Sequence, residues 1–206
     1  MALESKSILG RDNAYVTVSN KLTEYAKIEY MLQMSLGTST AVINNIETIA
    51  KSQVTAPFDK NVNKRKLQVV YCFVDTADLD KNTPINTIVN QGFPIGSEGR
   101  IFSTGLLKLE KSGASIYRVL LCKVAVGKSL CYPATASDED DKITKSNMEK
   151  CDFDSVYLNH EEYARSSFYR HEYKIFDSTQ VLPEYLIEFK FDDSRESNLR
   201  VVLYMI

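Results

Sequence analysis

Four cysteines, two histidines and a glutamate beside cationic neighbours are the side chains here whose types and spacing could do chemistry. Cys72, Cys122, Cys131 and Cys151 form no C-x-x-C pair, and His160 and His171 lie eleven residues apart, near no cysteine pair. A structural zinc needs clustered thiolate or imidazole ligands, so no metal site is expected. The thiols read as buried free cysteines of a reducing compartment. No P-loop, G-x-G-x-x-G, G-x-S-x-G or H-E-x-x-H occurs. Glu172 follows Arg170 and His171 at the start of a strand-like segment. A carboxylate placed there either stabilises a developing cation or forms a surface ion pair. The stretch 157–173 is rich in tyrosine and arginine, residue types that anchor interfaces. Tyr163, Arg165 and Tyr169 are its candidate interaction residues; the competing reading packs the stretch into the core.

The elements that must position these groups follow from periodicity. Residues 21–36 have helical spacing closed by Gly37, with Tyr25, Tyr30, Met31 and Met34 expected on its core-facing stripe. Val16 and Val18 could begin a strand. Residues 38–50 are β-branched and interrupted at Asn44-Asn45; residues 67–74 and 116–126 are apolar runs of the kind buried on both faces of a sheet. Residues 51–66, with Pro57, Lys60 and Lys64 to Lys66, read as a solvated polar connection. Residues 85–91 make a short helix stopped by Gly92. Gly96, Gly99 and Gly105 mark a loop carrying Ile101-Phe102, and residues 134–150 read as a mobile surface loop. Residues 172–176 and 184–191 alternate as strands, and 199–206 suit a last strand or docked tail. Helices dominate the first half and strands the second, an α+β pattern with a mixed or antiparallel sheet.

The chain has 206 residues, 44% apolar and 25% charged, with a formal charge of −2. That is enough chain for a full core without disulfide or metal. The near-neutral balance makes nucleic acid an unexpected partner, even with the basic cluster at 60–66. No apolar run reaches the roughly 18 residues a membrane helix requires, so no membrane partner is expected and the setting reads as intracellular.

Three segments in the last half carry a specific resemblance. Residues 120–128 (LLCKVAVGK), 153–157 (FDSVY) and 171–191 (HEYKIFDSTQVLPEYLIEFKF) occur in that order. They resemble the strand "LLCxVALGK", the "yDSV" element and the closing "EYVVYxxxQxxPEYLIxF" of poly(ADP-ribose) polymerase catalytic domains, the diphtheria-toxin-like branch of ADP-ribosyltransferases. Residues 85–95 are similar to the helix ending "ILxxGF", and 38–58 loosely to the first strand. The resemblance implies an α+β fold with a split, mixed or antiparallel sheet core and flanking helices. It divides the chain into an N-terminal extension with a helix (1–36), the polymerase-like domain (37–193) and a C-terminal strand or tail (194–206).

The family's chemistry uses a His-Gly pair for the ribose and nicotinamide, a stacking tyrosine and a late-strand glutamate. Glu172 matches the glutamate, with Tyr173, Gln180 and Pro183 in register. Phe73 falls where the histidine belongs, to within one residue, Val74 where the glycine belongs and Phe102 where the tyrosine belongs. Ser112 falls near the nicotinamide-contacting serine, or is an ordinary turn residue beside Gly113. Losing such polar groups costs about 2–4 kcal/mol of transition-state stabilisation each, and a β-branched valine fills space where backbone must approach a ligand. The resemblance therefore implies a catalytically inactive domain that binds no cofactor. It would act as a protein-interaction module in a nuclear or cytoplasmic setting, as part of a chromatin or RNA-silencing assembly. The alternative is an atypical NAD-dependent mono-ADP-ribosyltransferase that keeps Glu172 and uses another residue, such as Asp75, in place of the histidine.

Overall fold

The computed structural model describes residues 16–17, 22–37, 39–79, 83–106, 109, 115–133, 143–160 and 170–192. Among these, four helices and nine strands form an α+β architecture. The helices are α1 (Leu22–Ser35), α2 (Ser52–Arg65), α3 (Ile85–Gln91) and α4 (Lys145–Lys150). The strands are β1 (Val16–Thr17), β2 (Ala41–Thr48), β3 (Val69–Asp75), β4 (Arg100–Ser103), β5 (Tyr117–Ala125), β6 (Ser129–Pro133), β7 (Ser155–Asn159), β8 (Glu172–Ile175) and β9 (Val181–Phe191). They make one sheet in the order β1-β2-β9-β5-β3-β4-β8-β7-β6. Every pairing is antiparallel except β6 with β7.

The centre of this sheet is where the sequence is most apolar. Val119, Leu120, Leu121, Cys122, Val124 and Ala125 of β5 have no exposed surface, because both faces of the strand are covered. Leu120, Cys122 and Val124 join Ile88, Val89 and Phe93 from α3 and its exit on one face. Val119 and Leu121 join Ile28, Leu32 and Leu36 from α1 on the other. Fully burying one such aliphatic side chain contributes about 1.5–3 kcal/mol.

The buried stripe of α1 is Ile28, Leu32 and Leu36 at four-residue spacing. Of the expected stripe, Tyr25 and Met31 are half-buried, whereas Tyr30 is 65% and Met34 54% exposed. Spread over fewer than three turns, Tyr25, Tyr30, Met31 and Met34 do not share one face, and the aliphatic row takes the core. The Tyr185 hydroxyl of β9 donates to Glu24, fixing the helix on the sheet.

Asn44 is skipped in the ladder between β2 and β9, a bulge at the expected Asn44-Asn45 interruption. Gly92, at φ +81, ends α3 as its composition suggested. Residues 51–66 are a correction. They form α2 despite Pro57, since Val54, Phe58 and Val62 at four-residue spacing pack on Leu67, Ala125 and Leu182. The Ile101-Phe102 loop is strand β4, and the 134–150 loop contains α4, which buries Met148. Residues 134–142, the tail 194–206 and Val18 lie outside the described residues.

Candidate functional site

The sheet is nearly split between β3 and β4. β3 pairs with β5 through all seven of its residues, and β4 pairs with β8 through all four. Toward each other the two strands make one pair, Phe73 with Ser103. Beyond it the end of β3 and the start of β4 diverge. A cleft of about 310 Å³ opens there, lined from β3 by Phe73, Val74 and Asp75 and from β4 by Arg100, Ile101 and Ser103. Leu106, Leu109, Arg170 and Glu172 complete one side, and Asp78 lies on the 3-10 turn that follows β3. The volume is in the range of small-ligand pockets.

Phe73 and Val74, placed by resemblance at the histidine and glycine positions, both line this cleft and are themselves buried. Phe102 does not. It is 1% exposed and packs edge-to-face on Phe93, ring centroids 5.2 Å apart, on the far side of β4. Alternate residues of a strand face opposite ways, so its neighbours Ile101 and Ser103 meet the cleft. The stacking role assigned to Phe102 is thereby corrected: its ring is a core contact.

Glu172 opens β8 and is 6% exposed, not a surface residue. Arg170 donates from a terminal guanidinium nitrogen to Oε1, and His160 Nε2 lies 2.6 Å from Oε2. An ionised carboxylate only accepts, so His160 donates here. Both oxygens are engaged by cationic or donor groups from the residues either side of the undescribed 161–169. Arg170 also donates from Nε to Ser103 Oγ at 3.2 Å, linking the glutamate to β4. His171, expected to share the ion pair, turns away. Its Nδ1 sits 3.0 Å from the Tyr157 hydroxyl, and its backbone N–H donates to Thr104 Oγ1.

Charge on the other side of the cleft is arranged differently. Asp75 accepts from the Ala77 backbone N–H at 2.9 Å, and burial pushes its carboxyl up from the ordinary aspartate range, aided by neighbouring Asp78. Arg100 is half-buried, with its guanidinium over the Phe93 ring, 5.2 Å from the centroid. Among the described residues no carboxylate lies within ion-pair distance of it and no hydrogen bond reaches its side chain. Burial lowers its basicity, partly offset by Asp78. Sequence reasoning did not single out Arg100, and weighed His160 only as a metal ligand. Arg100 is one residue past Gly99 in a segment read as loop, and His160 meets Glu172 only through the pairing of β7 with β8.

Ser112, Tyr163, Arg165 and Tyr169 lie outside the described residues. Cys72 and Cys122 are buried partners across β3 and β5, and burial drives both thiols strongly upward, as inert thiols require. Cys131 and Cys151 are free but exposed, correcting the expectation of burial: one sits on the edge strand β6 and the other just after α4. Among the described residues no group of three or more His, Cys, Asp or Glu could hold a metal, and no helix is long and apolar enough to cross a membrane. No protein-family model matches the chain, and no curated protein matches it.

Proposed function

We propose that the chain is a non-catalytic member of the ADP-ribosyltransferase fold and works as a protein-interaction module. The observation that carries this reading is the state of Glu172. In the proposed ancestry this carboxylate would reach a ribose hydroxyl and steady a positive transition state. Here Arg170 and His160 occupy both of its oxygens. A carboxylate neutralised this way stabilises a developing cation poorly, since preorganised charge acts only where it faces the reacting atoms. Two further features support the reading. Phe73 and Val74 present side chains where a histidine and bare backbone would be needed. The sheet opens between the strands that carry these positions, which is where a split-sheet transferase would place its cleft.

On this reading the domain needs no cofactor. Its partners are proteins, its setting is intracellular, and a nuclear or silencing assembly is the environment the resemblance implies. Tyr163, Arg165 and Tyr169 are the proposed contact residues. The test uses isotope-labelled NAD with the whole chain. Millimolar NAD should raise the melting temperature by less than about 1 °C, because a ligand stabilises only through its occupancy of the folded state, and no label should transfer to the chain. Saturable stabilisation with label transfer lost in Glu172→Gln would establish the alternative, an atypical mono-ADP-ribosyltransferase. A Tyr163/Arg165 double alanine variant should remain folded by circular dichroism and lose partner capture.

A further inference from the structure

At the Phe191 end of β9 the two faces of the sheet are finished differently. On one face the rings of Tyr117, Phe189 and Phe191 meet, the Tyr117 and Phe191 centroids 4.9 Å apart, and join the cluster packed on α1. On the other face α3 and Phe93 pack with Leu120, Cys122 and Val124 of β5. Toward the start of β5 that face carries Arg118, bridged to Glu188, and then a row across three strands. Val42 of β2 stands opposite Lys190 of β9. Ile116 alternates with Tyr117, so it shares the face of Arg118, and the pairing of Tyr117 with Phe189 brings it beside Lys190. Val42 is 52% and Ile116 54% exposed, and neither joins an apolar cluster among the described residues. Two large aliphatic side chains thus flank an exposed lysine on one face, about 10 Å apart across two strand spacings.

The path of the chain points to what covers them. The Asp192 N–H donates to Thr40 O at 2.9 Å, and Thr40 Oγ1 donates to Asp192 O at 3.0 Å. The chain therefore leaves the sheet two positions from both Val42 and Lys190. A polar connector follows, 193–198, and then residues 199–206 (LRVVLYMI), apolar at every position but Arg200. Six connector residues reach about 20 Å when extended, twice the width of the row. Asp193 and Glu196 in the connector are opposite in charge to Lys190. Other segments outside the described residues suit the row less well. The N-terminal one joins at β1, whose Val16 pairs with Thr48 at the other end of β2. Residues 110–114 and 134–142 hold no large apolar side chain, and 161–169 joins β7 to β8 in the other half of the sheet.

We propose that residues 199–206 fold back over the row of Val42, Lys190 and Ile116 and cover it in cis, the counterpart on this face of α1 on the other. Displacing the segment bares Val42 and Ile116 together, so the cover decides when this face can meet another surface. The inference is independent of the non-catalytic reading, because the Glu172 bridge and the β3–β4 cleft lie on other strands.

The test is the rate of maleimide labelling in a background with Cys131→Ser and Cys151→Ser, which leaves only the two buried thiols. Val42→Cys, Ile116→Cys and, as a control on the exposed side of α2, Lys60→Cys are each made in the full chain and in a chain ending at Asp192. Labelling at Val42→Cys and Ile116→Cys should be about tenfold or more faster in the shortened chain, the protection given by a docked segment that is open less than a tenth of the time. Lys60→Cys should label equally in both. Leu203→Asp in the full chain should speed labelling at Val42→Cys and Ile116→Cys in the same direction, which separates loss of docking from any effect of shortening. The protection should not depend on protein concentration.

Equal rates at the two positions in the long and short chains, or no effect of Leu203→Asp, overturns the proposal. Protection that grows with protein concentration, with a dimer in sedimentation, also overturns it, in favour of a segment exchanged between copies. If shortening speeds Lys60→Cys as well, the domain has loosened, and the Leu203→Asp rates alone decide. Label transfer from NAD would defeat the non-catalytic reading and leave this one standing.

Discussion

Replacing Glu172 by alanine should lower stability far more than an exposed ion pair would. The Glu172 and Arg170 side chains are each 8% exposed, and His160 contributes a third, partly covered member. Breaking a buried pair by removing one partner costs about 3–5 kcal/mol, because the other charge stays desolvated without its counterion. A whole domain is stable by only about 5–15 kcal/mol. For a chain of this size each kcal/mol moves the melting temperature by about 2–4 °C, so the alanine variant should melt roughly 6–20 °C lower. Glu172→Gln keeps an acceptor oxygen and should cost less, about 1–3 kcal/mol. The double variant Glu172→Leu with Arg170→Met removes both charges and should recover much of the loss, since apolar replacement of a buried pair is often neutral. Calorimetry of the parent, Glu172→Leu, Arg170→Met and the double variant closes a double-mutant cycle with a coupling well above 1 kcal/mol. A catalytic carboxylate reserved for a transition state would leave stability almost untouched. A drop below about 2 °C for Glu172→Ala, or strict additivity in the cycle, would refute the buried-bridge argument and reopen a catalytic role.

Glu47 is buried on β2, and burial raises its carboxyl above the ordinary range, with Glu188 adding to the shift and the Asn45 hydrogen bond opposing it. A folded value above the unfolded one means that stability is whole below about pH 4.3 and declines as pH rises through the folded value. Glu47→Gln should therefore be more stable than the parent at pH 7, and urea midpoints of the two should converge toward pH 4. Gly127, at φ +51, leaves no room for a side chain: a Cβ would collide with the Asp154 carboxylate and sit 2.7 Å from Leu67. Gly127→Ala should cost about 1–3 kcal/mol in denaturant melts, and an unchanged midpoint would contradict this. On α1, Leu32→Ala should cost about 2–5 kcal/mol and Tyr30→Ala less than about 0.5, as their full burial and 65% exposure require. Equal effects would mean that the helix is turned the other way.

Strands were readable where burial on both faces left a nearly continuous apolar run, as in β3 and β5, and in β9 through its alternation. Helix α2 was obscured because its buried face is only Val54, Phe58 and Val62 in a polar segment holding Pro57, a residue that argues against a helix interior. The four-residue spacing of those three side chains was the available signal. Phe102 shows a different limit. Neighbouring residues of a strand face opposite ways, so a match of residue type in a motif does not say whether a ring faces core or cleft. The position of Glu172 was legible from its neighbours in the chain. Its burial was not, because His160 reaches it across the sheet and Ser103 steadies Arg170 from β4. Arg100 was not singled out because its half-buried place over the Phe93 ring is a property of the folded neighbourhood and not of the local sequence.

The position of β9 has a consequence for how the chain is made. It is the last strand in sequence among the described residues, yet it lies between β2 and β5 and pairs along its length with both. On the ribosome, β2 and β5 emerge with their joining edges empty and wait until residues 181–191 have been synthesised. The strand that joins β1 and β2 to the rest of the sheet is therefore delivered late, and closure pairs segments as distant as Ala41 and Phe191. Such non-local pairing folds slowly. During that interval two unfilled strand edges, one flanked by the most apolar segment of the chain, invite self-association. Nascent chains stalled before residue 181 should accordingly bind chaperones and resist refolding, whereas chains released beyond residue 192 should not.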